Sequence, residues 1–181
     1  MNEFPNLMKA RALVPRRDCY GKLYTLIVKT DGLEKSSLTP LQLLDIQLRR
    51  TGSSLKGAKD AARFIMGTTT MHPLLLQLHP TIHTWFPTES PRNETCAYLA
   101  LHQIRDARDI LPYSDTETIV HGSGAYDVVI PVKESKVRIR YNEALRLVGR
   151  VYINHYLTQD FYYPQQEKIV VQCAELHEDC L

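Results

Sequence analysis

The chain has 181 residues and a mass of 20.8 kDa, with 44% hydrophobic and 23% charged residues. These proportions exclude disordered, collagen-like and coiled-coil classes, and the length suits a single domain with its own core. Lys and Arg total 22 against 20 Asp and Glu, a net charge of +2 that excludes nucleic-acid binding by bulk charge alone. No apolar run reaches the roughly 18 residues of a membrane helix. The longest, around Leu74–Leu76, is interrupted by Pro73, Gln77 and Pro80. Met1–Arg11 has no apolar stretch of the kind a secretory leader needs. Cys19, Cys96, Cys173 and Cys180 are too few for a disulfide scaffold, so reduced thiols in a cytoplasm are expected.

In chain order, Arg11–Val14 and Lys22–Lys29 read as strands around the turn Asp18-Cys19-Tyr20-Gly21, and Asp31-Gly32 breaks the second. Thr39-Pro40-Leu41-Gln42 then starts a helix: Thr39 caps it, Pro40 takes the first helical position and Gln42 completes a capping box. Leu41, Leu44 and Leu48 form its apolar stripe, Arg49 and Arg50 its last turn, and Gly52 suits a left-handed exit. A second helix, capped by Ser53 or Ser54, has its apolar face at Leu55, Ala58, Ala62, Ile65 and Met66 and ends at Gly67. Lys56, Lys59 and Arg63 form a basic stripe on its outer face. Residues 39–67 carry five basic and two acidic side chains, a local charge of +3.

Leu74–Leu78, Ile82–Phe86 and Thr95–Ile104 read as further strands. Glu117–His121 and Tyr126–Val132, flanking Gly122-Ser123-Gly124, read as a hairpin. A long helix from a Ser135 cap to Leu157 follows, with Val137, Tyr141, Ala144, Leu145, Val148, Tyr152 and His155 on one face. Lys136, Arg138, Arg140, Arg146 and Arg150 form a second basic group along it. The last segment has one strand-like run, Ile169–Val171, and is acidic: residues 164–181 hold Lys168 against Glu167, Glu175, Glu178 and Asp179. The remaining body therefore has 21 basic and 16 acidic residues, a charge of +5. The expected class is α+β, an antiparallel β core with a short basic helix pair and a long C-terminal helix.

Three chemistries compete for the function. Cys173, His177 and Cys180 would share a helical face, but zinc needs a fourth ligand and favours tighter knuckles, so no metal site is expected. His72, His79, His83 and His102 could line a catalytic pocket, yet Pro80 parts His79 from His83, and neutral histidines are ordinary packing residues. No nucleophile elbow, P-loop or dinucleotide fingerprint is present, and neither an enzyme nor a cofactor is expected. The basic helix pair remains, with cations placed to meet phosphates.

Several segments together resemble the ComK family, the competence transcription factors of Gram-positive bacteria. Gly52-Ser53-Ser54, Gly57 and Lys59 are similar to the family's G-S-S-x-x-G-R-K segment, with Ala58 in the place of its Arg. Phe86-Pro87-Thr88, Ser90-Pro91 and Cys96 resemble its F-P-T-x-S-P…C segment, with Tyr98 where a Trp is common. The resemblance implies a cytoplasmic regulator of competence genes, a homodimer or higher oligomer that reads AT-rich boxes through the minor groove. On it, residues 1–160 form the DNA-binding domain and 161–181 a tail, and Arg49, Arg50, Ser53, Ser54, Lys56, Lys59 and Arg63 become the DNA-contact candidates. The resemblance also implies control by a MecA-type adaptor that delivers the protein to the Clp protease. Phe161-Tyr162-Tyr163-Pro164 is similar to the aromatic-Pro segment that takes part in this. The alternative is an interaction protein of the same ancestry that no longer binds DNA.

Overall fold

The computed structural model describes residues 5–67, 71–77, 82–122 and 124–157. Its main layer is a six-stranded antiparallel sheet built from β1 (Ala10–Arg17), β2 (Leu23–Lys29), β3 (Leu33–Ser36), β4 (Leu74–Gln77), β5 (His83–Pro87) and β6 (Tyr98–Ala100) in the order β3-β2-β1-β6-β5-β4. Helices α1 (Pro40–Arg50) and α2 (Leu55–Met66) lie between β3 and β4 in sequence. A second sheet, β7 (Ile110–Pro112), β8 (Thr118–Val120) and β9 (Val128–Ile130), precedes the long helix α3 (Glu134–Tyr152).

The period of two in each strand divides the core. Leu13, Ile27, Trp85 and Tyr98 face α1 and α2 and pack with Leu43, Leu44, Leu48 and Ala58. Their neighbours Val14, Val28, Phe86 and Leu99 face the other way, onto Ile110, Val120, Ile130, Val137 and Tyr141. The main sheet is thus buried on both sides, by the helix pair on one and by the small sheet with α3 on the other. Ala62, Met66, Leu147 and Val151 form a third cluster where α2 meets α3.

Helix α1 starts as its sequence predicts, with the Gln42 amide donating to Thr39 Oγ1 at 3.3 Å and the Thr39 amide to Gln42 Oε1 at 2.8 Å. Several boundaries differ from expectation for local physical reasons. β1 runs through Pro15 to Arg17 because β6 pairs only with Ala12 and Leu13, so the proline's missing N–H falls where one edge carries no ladder. The strand expected at Thr95–Ile104 shrinks to Tyr98–Ala100. On its early side Thr88 Oγ1 bonds both the carbonyl and the amide of Ala97, and on its late side Leu101–Gln103 turn into a single 3-10 helix. β3 and β7 escape the pattern: β3 is a short polar edge strand, tied by Lys29 to Glu34 at 2.5 Å.

Ser135 does not cap α3. The helix begins two residues earlier, at a Lys133 cap with no side-chain bond, and Glu134 in its first turn complements the dipole. Its buried seam is Val137, Tyr141, Ala144, Leu147 and Val151, whereas Leu145 and Tyr152 are exposed. The seam steps to 147 and 151 because the second half of the helix packs on α2 instead of the sheets. Beyond Tyr152 the chain continues as a π-helical turn, Ile153–Leu157. Among the described residues, no helix is long and apolar enough to cross a membrane.

Candidate nucleic-acid interface

The corner between α1 and α2 is held by one carboxylate. Asp45 Oδ1 accepts from the Leu55 amide and Oδ2 from Arg49 Nε, each at 2.8 Å, and these two bonds hold its pKa below the ordinary value. Ser54, not Ser53, caps α2 by accepting from the Gly57 amide at 3.1 Å. Gly67 closes the helix in the left-handed conformation, at φ 65°. Of the seven candidate contact residues, Arg49 and Ser54 therefore build the corner, while Arg50 and Ser53 stand exposed on it.

The basic stripe is presented outward. Ala58, Ala62 and Met66 bury the opposite side of α2, which leaves Lys56, Lys59 and Arg63 within one arc of its outer surface. Lys56 and Arg63 are exposed and Lys59 partly so. Arg63 has only a loose partner, Asp60 at 3.9 Å, and no acidic group pairs with Lys56 or Lys59 among the described residues. Lys59 and Arg63 also wall a pocket of about 160 Å³ with His72, Pro91 and Tyr98. Helix α2 and the loop at Pro91, distant in sequence, meet there. Two cations one helical turn apart over such a concavity can hold an anion, a phosphate oxygen above all.

The second basic group mostly serves the fold. Arg138 donates to the Ile110 carbonyl at 2.7 Å and pairs with Glu134, Arg140 pairs with Glu143 at 2.7 Å, and Arg150 donates to the Ile65 carbonyl at 2.5 Å. Lys136 and Arg146 are its exposed members without a described partner. Equal formal charge thus divides into binding-capable and structural cations only once the partners are known.

One residue of the region has no place in the sequence pattern. Phe64, next to Arg63, is 91% exposed. It lies off the apolar face defined by positions 55, 58, 62, 65 and 66, and that misfit was the readable signal. Phe161-Tyr162-Tyr163-Pro164, His79 and the Cys173, His177, Cys180 group lie outside the described residues.

His83 and His102 do come together, His83 Nδ1 lying 3.1 Å from His102 Nε2 with ring centroids 4.2 Å apart. Burial lowers both pKa values, and the neighbouring His83 helps bring His102 down to about 4 from its ordinary 6.5. His102 packs edge-on toward Trp85. Above pH 6.5 the folded and unfolded His102 are both neutral, and the pair adds no pH dependence. Below it the unfolded chain takes up a proton that the native site resists down to about pH 4. Stability therefore falls as the pH drops through this window, by about 1 kcal/mol between pH 6.5 and 5 for a half-buried site. Urea titrations at these two pH values should show that loss, and His102→Asn should remove most of it. Equal pH slopes in the two proteins would contradict the assignment.

Cys96 is buried in the loop just before β6, with its thiol donating to the Glu89 carbonyl at 3.3 Å, and burial pushes its pKa up to about 11. Its place is in the core, packed with Leu7, Trp85 and Tyr98.

Comparison with known families gives one result. A family model described as ComK protein matches residues 8–152. No curated protein and no solved structure matches the chain.

Proposed function

The chain belongs to the ComK family of competence-related transcription factors, and from that premise we propose that it binds double-stranded DNA at AT-rich boxes through the minor groove. The observation that carries this reading is the face of α2, where Lys56, Lys59 and Arg63 stand together on a helix pinned at both ends. Each cation that meets a phosphate releases a counterion, and such contacts set affinity and register but carry no base sequence. Preference for AT-rich boxes comes from the narrow groove of A-tracts and the degenerate A·T edges, which Arg and Lys sense. Residues 1–160 act as the binding domain, in a cytoplasmic homodimer or higher oligomer whose symmetry matches spaced boxes. Activation of competence genes is the regulatory outcome, without catalysis or a cofactor. The tail from 161 serves adaptor-controlled turnover by a Clp protease.

The test is an anisotropy titration of the full chain on AT-rich and GC-rich duplexes at about 50 and 200 mM salt, the range over which phosphate contacts weaken. Binding that falls steeply with salt and favours the AT-rich duplex is expected. Salt-independent binding, or none at the lower salt, would overturn the proposal and leave the interaction-protein alternative.

A further inference from the structure

We propose that Phe64 is an apolar wedge that enters the base stack of bound duplex and bends it. The inference rests on the DNA-binding reading and adds to it a residue that works on the shape of the DNA instead of its charge.

Among the described phenylalanine and tryptophan residues, Phe86 and Trp85 are 0% and 1% exposed, while Phe64 is 91% exposed. Burying a phenylalanine ring stabilises a fold by roughly 1.5–3 kcal/mol, and here that gain is left unused. Single exposed apolar residues are common on protein surfaces, so exposure alone decides nothing. Position does. Phe64 follows Arg63 directly and stands on the flank of the stripe that includes Lys56 and Lys59, so a duplex drawn to these cations comes to lie against the ring. Ala61 and Gly57, the residues three and seven positions back on that side of the helix, are small and exposed.

A wedge must also not yield. Separating two stacked base pairs costs a few kcal/mol, and the side chain has to be held by a support stiffer than the stack. The backbone around Phe64 is such a support. Arg150 of α3 donates to the carbonyl of Ile65, the next residue, at 2.5 Å. Ala62 and Met66, on either side, are buried against Leu147 and Val151. The Gly67 amide closes the last turn on the Arg63 carbonyl at 2.9 Å. An aromatic ring carried on a backbone fixed in this way, beside exposed cations, fits a widened minor groove, where an apolar side chain between two base pairs kinks the duplex toward the major groove.

The experiment uses the full chain and an AT-rich duplex of about 25 base pairs, a length over which a kink changes the end-to-end distance, labelled at its two ends for energy transfer. Wild type should bring the ends closer on binding. Phe64→Ala should bind roughly tenfold more weakly with an unchanged salt slope and leave the duplex straight, and Phe64→Met, which keeps an apolar wedge, should restore the bend. A Phe64→Ala protein that bends the duplex as wild type does would overturn the wedge while leaving DNA binding intact. Sedimentation without DNA supplies the other arm: an oligomer that falls apart on Phe64→Ala would make Phe64 a contact between copies of this chain. Absence of any DNA binding by wild type would remove the wedge and the reading beneath it together.

Discussion

Changing Lys56, Lys59 and Arg63 together to alanine is expected to flatten the salt dependence of DNA binding by between two and three units of slope. Each phosphate contact contributes about 0.9 to the slope of log affinity against log salt, so three contribute roughly 2.7. Between 50 and 200 mM salt, the penalty on binding should accordingly be roughly 40-fold smaller in the variant, because three fewer counterions are released. Low-salt affinity should fall by about two orders of magnitude. The fold should survive, since these side chains point away from the core of α2 and, among the described residues, Arg63 alone of the three has an acidic partner, at 3.9 Å. Alanine is also the best helix former. Thermal melts within a degree or two of wild type would confirm that the loss is electrostatic. Lys136→Ala with Arg146→Ala is the matched control of like charge on α3. If that pair lowers the slope as much as the α2 triple does, DNA contacts α3 and the assigned face is wrong.

The second large effect is expected at a glycine. Gly124 has φ +123°, a conformation side chains rarely adopt, and a Cβ there would stand 2.7 Å from the Thr30 carbonyl oxygen and 2.9 Å from its Cα. Both neighbours are backbone at the end of β2, so they cannot rotate aside. Gly122, two residues earlier, is in a similar position: a Cβ would meet the Arg11 guanidinium and lie 2.8 Å from the Gln103 carbonyl oxygen. Arg11 is 4% exposed and donates to the Tyr126 carbonyl at 2.5 Å, with Asp109 and Asp127 offsetting its charge. Gly122, Gly124 and Tyr126 thus close over a buried arginine and the end of β2 and clamp the small sheet to the large one. Gly124→Ala should cost about 3 kcal/mol, the sum of backbone strain and the lost clamp. Gly149→Ala should do the reverse. Gly149 is inside α3 with open space around its Cα, so alanine there should stabilise by up to about 1 kcal/mol. Urea denaturation of the two variants tests both signs; a neutral Gly124→Ala would mean that the loop does not hold the sheets together.

Local chemistry determined a good part of this protein. The capping box at Thr39, Pro40 and Gln42, a second helix capped at Ser53 or Ser54 and ended by Gly67, and the basic stripe at 56, 59 and 63 are all readable within a few residues, because helix ends and faces depend on neighbours three or four positions away. The α+β class follows from the same local signals, and so does the family, through short segments in order. What the chain could not reveal locally depends on partners far along it. That Arg138, Arg140 and Arg150 are largely occupied, while among the described residues Lys56 and Lys59 have no acidic partner, is a matter of which carbonyls and carboxylates the fold brings near. The Gly-Ser-Gly segment looked like a plain hairpin turn; its glycines are required by Arg11 and Thr30, more than 90 positions earlier. The second half of α3 turned its seam from Leu145 toward Leu147 because α2 lies beside it. The exposure of Phe64 is half legible: the residue falls off the apolar stripe at 55, 58, 62, 65 and 66, but only the packing of α2 on α3 decides that this flank stays in water beside the cations.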